Sequence, residues 1–353
     1  MNLRLEAALR KLEENNLDGL IVSSSANITY LTKYQSRDSY FIISAKGCMY
    51  ITDSRYTEEA KARLDKKIIV HKSNGSVFKT IARISLELGL KRIGFEARYL
   101  PFAEHKRIEE YLDKQARLIH THSIIEKLRE VKDEDEIKKI KMAVQITAKA
   151  LKFIGEFIAP GQKEIEVVAE LERFIRYHGS SKGAFDIIVA SGPNSCYPHH
   201  IPGQRRLKNA EPVLIDIGVD YQGYKSDLTR VYFLGKITAY AREVYDIVLD
   251  AQQRAIKSIK PGVSIGQIDA AARDYIAKKG YASHFGHNLG HGIGLEVHEE
   301  PHISPKEPNV LLPGMVFTIE PAIYLTQKFG IRIEDVVLVT EGKGKVLSGA
   351  VNK

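Results

Sequence analysis

Two stretches of equal length constrain this chain more than any other feature: PGQKEIEVVAELERFIRYHG, from Pro160 to Gly179, and PGVSIGQIDAAARDYIAKKG, from Pro261 to Gly280. They stand 101 residues apart and align without a gap, placing Ala169 on Ala270, Phe174 on Tyr275 and Ile175 on Ile276. A helical pattern precedes each Pro-Gly, and β-prone sequence follows each closing glycine. Pro-Gly alone punctuates many helices. Matched helix, Pro-Gly, helix and strands in series instead predict a duplicated α+β unit, two halves about a pseudo-twofold axis with a cleft between them.

Within that region LIDIGVDYQGYKSDLTR, residues 214–230, puts Asp216 and Asp227 among apolar, β-prone neighbours. An ionised carboxylate there costs stability unless something pairs with it. With Tyr221 and Gln222 as a hairpin tip, the two aspartates face each other, Cβ atoms about 4.5–5.5 Å apart, and repel. A shared divalent cation resolves the conflict, since hard cations take carboxylate oxygens at about 2.0–2.6 Å. The segments VFTIEPAIYL and GIRIEDVVLVT repeat the arrangement. A three-residue loop centred on Gln327 sets Glu320 opposite Glu334.

HFGHNLGHGIGLEVHEEPH lies between the two acidic hairpins. His287 and His291 are four apart, but Asn288 follows the first and glycines surround them, which argues against a helical zinc motif. Glycines beside His291 let its backbone approach a ligand closely. Four carboxylates and one imidazole are too oxygen-rich for a structural zinc site, and they suffice for two ions sharing bridging carboxylates. Paired ions clamp a hydroxide and polarise a carbonyl, so the chemistry implied is metal-assisted hydrolysis.

DIGVDYQGYKSDLTR, HNLGHGIGLEVHEEP, TIEPAIY and IRIED resemble the pita-bread metallopeptidases, specifically their aminopeptidase P and prolidase (Xaa-Pro dipeptidase) branch; NITYLTKY and YITDSRYTEEA resemble that branch's N-terminal domain. The resemblance implies an α+β protein: a C-terminal pita-bread fold behind a smaller creatinase-like α/β domain. It implies that Asp216 chelates one metal, that His291 and Glu320 chelate the other, and that Asp227 and Glu334 bridge both. His298 then stabilises the oxyanion, Glu320 relays a proton to the leaving proline nitrogen, and His199 contacts substrate near the scissile bond. His287 lines the prolyl subsite, Arg332 pairs with Asp216 or another site carboxylate, and Thr229 hydrogen-bonds a ligand. His200 and Asp220 are expected to serve loop and turn geometry.

The function implied is hydrolysis of an N-terminal Xaa-Pro bond by a metal-bridging hydroxide, with Xaa-Pro aminopeptidase placed ahead of Xaa-Pro dipeptidase. A non-catalytic binding protein of the same fold is the remaining reading. Carboxylate-rich ligation favours Mn²⁺ or Co²⁺, with Fe²⁺ and Zn²⁺ open. The partners expected are proline-containing peptides and a second copy of the chain, a homodimer. Arg37 and Asp38, in the loop TKYQSRDSY (residues 32–40), are candidates to meet a substrate terminus across that interface.

Ahead of this region, residues 1–122 alternate short strands (GLIVSS, YFIIS, CMYIT, KIIVH, RIGFE, ARLIH) with helices (TEEAKARL, SVFKTIARISLELG, PFAEHKRIEEYL), an N-terminal α/β domain. Residues 123–353 form the second domain. It opens with a single long helix over 124–161 whose acidic stretch, Asp133 to Glu136, suits the helix dipole. The net charge of +8 comes from 21 Lys/Arg against 15 Asp/Glu in residues 1–125, and 31 against 29 in the rest. That thin spread over helices with interleaved charges, without a recognition motif, speaks against nucleic acid. No apolar signal-peptide core or membrane-length span is present, and two cysteines make no disulfide framework, so the expected compartment is the cytoplasm and no membrane partner is expected.

Overall fold

The computed structural model describes residues 3–350, and the chain divides into two compact units, Met1–Arg129 and Glu130–Lys353. In the first unit all the expected strands form. They are β1 (Gly19–Val22), β2 (Ser39–Ser44), β3 (Gly47–Thr52), β4 (Ile68–Lys72), β5 (Arg92–Glu96) and β6 (Arg117–Thr121). They build one mixed sheet of order β4-β3-β2-β1-β5-β6. Helices α1 (Leu3–Glu14), α2 (Ser25–Thr32), α3 (Thr57–Arg63), α4 (Val77–Glu87), α5 (Phe102–Leu112) and α6 (Ile124–Arg129) complete the unit. Ile21, Ile42, Ile51, Ile81 and Ile93 form the centre of its core.

The single helix expected over 124–161 is two. Helix α6 packs with α1 and α2, and α7 (Glu134–Phe157) starts afresh. The break has a local cause. Val131 pairs with Met315, Lys132 N–H donates to the Gly314 carbonyl, and Asp133 then caps α7 in a reciprocal box with Glu136. The boundary between units therefore falls after Arg129 rather than after residue 122.

In the second unit the repeat governs the architecture. Helices α8 (Glu164–Tyr177) and α10 (Ile265–Lys278) each have 14 residues, and each follows a longer helix, α7 and α9 (Ala239–Ser258). Gly161 and Gly262 both take positive φ, 95° and 79°, at the turns between them. The strands repeat as well. In the first half β8 (Ile188–Ser191), β9 (Pro212–Ile217) and β12 (Leu228–Phe233) pair antiparallel in that order. In the second half β13 (Gly290–Gly292), β15 (Val316–Ile319) and β18 (Asp335–Val339) do the same, flanked by β14 (Glu299–Ile303) and β19 (Gly344–Val346). Two smaller sheets are separate: β7 (Lys182–Gly183), β10 (Val219–Tyr221) and β11 (Tyr224–Lys225) in one half, β16 (Ala322–Leu325) and β17 (Phe329–Arg332) in the other. Helices α9 and α10 cover the second sheet, burying Val244, Val248, Ile268 and Ile276 with Phe317 and Val337.

The first acidic hairpin is displaced from the expected register. Tyr221 pairs with Tyr224, so the tip is Gln222-Gly223, with φ of 51° and 89°. Two consecutive positive φ values define the turn that matches strand twist, and Gly223 supplies the second without steric cost. Asp216 consequently pairs with Thr229, not with Asp227. The side-chain period of two still leaves both aspartates on one face, as diagonal neighbours. The second hairpin keeps the expected register: Leu325 pairs with Phe329 around Thr326, Gln327 and Lys328, with Gln327 at φ 62°.

Candidate metal centre

Each half contributes one acidic pair. Asp216 lies in β9, and Asp227 immediately precedes β12. Glu320 and Glu334 occupy facing places where the ladder between Ile319–Asp335 and Ala322–Arg332 is interrupted. The interruption frees their backbone N–H groups, which donate elsewhere: Glu320 to the Leu289 carbonyl at 2.8 Å, Glu334 to the Thr229 carbonyl at 3.2 Å. The latter bond joins the two halves directly beneath the site.

His291 completes the cluster from β13. Its Nδ1 lies 3.1 Å from the Gly292 carbonyl, an acceptor only, so Nδ1 carries a proton and Nε2 is the nitrogen turned toward the carboxylates. Nε2 is 3.3 Å from Glu320 Oε1 and 3.6 Å from Asp227 Oδ2. The flanking glycines have a different purpose from the one expected. A Cβ on Gly290 would overlap the Thr318 carbonyl of β15, and one on Gly292 the Glu300 carbonyl of β14. The close approach is between strands, not toward a ligand.

The electrostatics are those of an uncompensated cluster. Burial first, and then neighbouring carboxylates, push Asp227 and Glu334 well above the ordinary carboxylate range. Burial also raises Asp216, although Arg332 opposes it. Glu320 moves the other way, because hydrogen bonding and charge from His291 outweigh its burial. Asp216 Oδ1, Asp227 Oδ1 and Glu334 Oε1 are buried without a hydrogen-bond partner. Asp227, His291 and Glu334 each offer one ligand atom, all within 4.8 Å of one another. Orphaned anionic oxygens converging with one imidazole fit a divalent cation and little else.

A polar frame fixes these side chains. Arg332 Nη2 binds Asp216 Oδ2 at 2.6 Å, its Nε donates to Thr229 Oγ1 at 3.0 Å, and its Nη1 donates to the Tyr324 hydroxyl at 2.6 Å. Thr229 Oγ1–H donates in turn to Glu334 Oε2 at 2.8 Å. Thr318 Oγ1 accepts from His291 N–H and donates to Glu320 Oε1. Thr318 and Tyr324 were not anticipated, although alternation along the strand from Glu320 would have pointed to both.

The cluster forms part of the wall of a cleft of about 1230 Å³. His199, His287 and His298 share that wall with an apolar side made by Phe185, Ile187 and Ile188. The imidazole of His298 meets His291 edge-on at 4.2 Å between ring centres, and burial together with the His291 charge lowers its pKa to about 4. Burial also lowers the pKa of His287, whose Nε2 lies 3.4 Å from the Tyr324 hydroxyl. Asp220 does turn duty, accepting from Gly223 N–H and pairing with Lys225. Arg37 and Asp38 belong to the first unit and are not among the residues lining this cleft; both are exposed, and Asp38 is paired with Arg55 at 3.0 Å.

Residues 138–341 match the model of Metallopeptidase family M24, and residues 4–131 match the Creatinase/Prolidase N-terminal domain. The chain belongs to metallopeptidase family M24. Its second unit has the pita-bread fold of that family, preceded by a creatinase-type unit, as the resemblance implied. Among M24 relatives, a Xaa-Pro dipeptidase of Pyrococcus horikoshii is 36% identical over 353 residues, covering 99% of this chain and 97% of its own. The structure of a Xaa-Pro dipeptidase from Bacillus anthracis superposes with a TM-score of 0.96 at 37% identity, covering 99% of this chain and 98% of that one. An X-Pro aminopeptidase from Thermotoga maritima gives 0.88 at 36% identity, covering 96% and 97%. Among the described residues no helix is long and apolar enough to cross a membrane.

Proposed function

We propose that this M24 metallopeptidase is a Xaa-Pro dipeptidase working with two divalent cations held by Asp216, Asp227, His291, Glu320 and Glu334. The observation that carries the reading is the set of buried carboxylate oxygens left without partners at the floor of the cleft. When bound, such cations act as Lewis acids on the scissile carbonyl and lower the pKa of a water nucleophile. Asp216 is expected at one ion, His291 and Glu320 at the other, with Asp227 and Glu334 between. Carboxylate-rich ligation favours Mn²⁺ or Co²⁺.

The remaining residues divide the work around the bond. A prolyl amide nitrogen has no N–H, so it must be protonated as it leaves. Glu320, facing the cleft, is the group to hold and transfer that proton. With its pKa near 4, His298 is neutral around pH 7 and donates a hydrogen bond to the developing oxyanion without adding charge. His199, on the cleft wall, is the group to meet substrate near the scissile bond, while His287 and Tyr324 border the prolyl ring. Arg332 gives its donors to Asp216, Thr229, Tyr324 and the Pro198 carbonyl, which suits it to hold ligands and loop rather than substrate.

The sequence alone favoured an aminopeptidase. Full-length relatives named Xaa-Pro dipeptidase, at 36% and 35% identity, now support the dipeptidase reading. The Thermotoga maritima structure keeps the aminopeptidase as the second. A homodimer in a reducing compartment belongs to the same proposal; both cysteines are free and buried. Arg37 and Asp38 would serve substrate across that dimer interface. The test is a paired assay on protein stripped of metal and reloaded with Mn²⁺ or Co²⁺. Cleavage of Ala-Pro with Ala-Pro-Ala left intact is the expected result. Release of alanine from the tripeptide would make the enzyme an aminopeptidase, and cleavage of neither would remove the peptidase reading.

A further inference from the structure

Glu164 opens α8 and has no exposed surface, yet it is no part of the metal cluster. Its two oxygens gather donors from one loop. Oε1 accepts from Ser191 N–H at 2.9 Å, Ser191 Oγ at 2.8 Å and Asn194 Nδ2 at 3.0 Å. Oε2 takes His200 Nε2 at 2.9 Å and Gly203 N–H at 3.3 Å. These donors bracket residues 197–202, every one of which lines the cleft, His199 among them. Burial alone would push the Glu164 carboxyl up, but donation from His200, Ser191 and Asn194 outweighs it and the carboxyl is held below its ordinary value.

The loop has three further attachments, one of them the 3.3 Å hydrogen bond from Arg332 Nη1 to the Pro198 carbonyl, next to His199. Its far stem is tied to the start of α8 by backbone bonds, Glu164 N–H to the Arg205 carbonyl at 3.0 Å and Ile165 N–H to the Gly203 carbonyl at 3.2 Å. At its near stem Ser195 Oγ accepts from Gly330 N–H at 2.8 Å. None of the three is made to residues 199–202. Among the described residues their one buried charged hydrogen-bond partner is Glu164, through His200.

We propose that Glu164 is a positioning residue: by gathering Ser191, Asn194, His200 and Gly203 on one buried carboxylate, it fixes the cleft loop and aims His199 at the substrate. The proposal rests on the Xaa-Pro reading for the role of His199. Gln at position 164 keeps the shape but replaces one acceptor by a donor that faces donors. A displacement of about 1 Å in a group near the reacting bond can cost about 100-fold in rate.

The test is a double-mutant cycle of Glu164→Gln and His199→Ala on Mn²⁺-loaded enzyme, with Ala-Pro as substrate. Glu164→Gln is expected to lower kcat/KM by about 10–100-fold at unchanged metal content. The double variant is expected within about twofold of His199→Ala alone, since coupled residues do not add. Multiplicative losses, or a loss that follows metal content, would overturn the proposal. Asn194→Ala and His200→Asn remove single donors and carry the same cycle if Glu164→Gln does not fold; neutrality of both would also overturn it. Amide exchange supplies a readout independent of turnover. Ser191 and Gly203 should exchange at least about tenfold faster in Glu164→Gln while the rest of α8 keeps its protection, and unchanged exchange would refute the clamp. If the wild type cuts neither Ala-Pro nor Ala-Pro-Ala, the functional reading fails, and the exchange arm alone decides whether Glu164 orders the loop.

Discussion

Asp227 has Oδ1 buried without a partner, and burial together with Glu334, Asp216 and Glu320 drives its carboxyl toward the protonated form. The consequence for stability has a definite sign. A carboxyl whose folded pKa is raised contributes stability below its unfolded value, near 4, and loses that contribution as pH rises through the folded value. Metal-free protein should therefore melt at falling temperature as pH rises from 5 to 8, and bound cations should remove that slope. Asp227→Asn deletes the charge and the ligand together. In chelator at pH 8 it should be more stable than the wild type by about 0.5–2 kcal/mol, the usual size of an active-site concession. Its kcat/KM with Mn²⁺ present should fall by more than about 100-fold. Calorimetry in chelator decides: an Asp227→Asn protein less stable than the wild type at pH 8 would mean the carboxylate has a cationic partner other than a metal.

At the scale of elements, β13 shows how backbone approach places a proposed ligand. Gly290 sits where a Cβ would overlap the Thr318 carbonyl, and the next residue, His291, has its N–H on Thr318 Oγ1 at 3.1 Å. Gly290→Ala must push β13 away from β15 and take the imidazole with it. The expected cost is about 1–3 kcal/mol, with weakened metal affinity by titration. Gly286→Ala, where an added Cβ would meet nothing within 4 Å beyond its chain neighbours, should stay within about 0.5 kcal/mol of the wild type; equal effects of the two would defeat the argument. The elements also show what the sequence could reveal. The β16–β17 register was readable because a fixed loop length between alternating strands leaves one pairing that buries both apolar sets. The β9–β12 tip was misplaced because Gln222-Gly223, rather than the residues before it, tolerates consecutive positive φ. The break between α6 and α7 was hidden because its cause, pairing with Met315 and Gly314, lies far along the chain. Phe185, Ile187 and Ile188 reach the cleft only through tertiary folding, and apolar residues in a strand carry no mark of which cavity they will line.

Across the whole molecule, all the proposed ligands fall between Asp216 and Glu334, in the second unit, while the first unit has a sheet and core of its own. Within the second unit the cations would join carboxylates from both halves of the repeat, stapling β9 and β12 to β17 and β18. That staple is not alone. Arg230 pairs with Asp335 at 2.8 Å and donates to the Glu334 carbonyl at 2.6 Å, both bonds buried and both independent of metal. Chelation should therefore loosen the joint without separating the halves. A cation at 100 times its Kd contributes about 2.7 kcal/mol, roughly a hundredfold in local opening. Hydrogen exchange before and after chelation should accelerate by about that factor at Asp216, Thr229, Arg332 and Glu334, while β1 and β5 of the first unit keep their protection. Acceleration spread equally over both units would show that the metal governs global stability rather than the joint between the repeated halves. No change at the ligand strands would show that the buried carboxylates hold no cation at all.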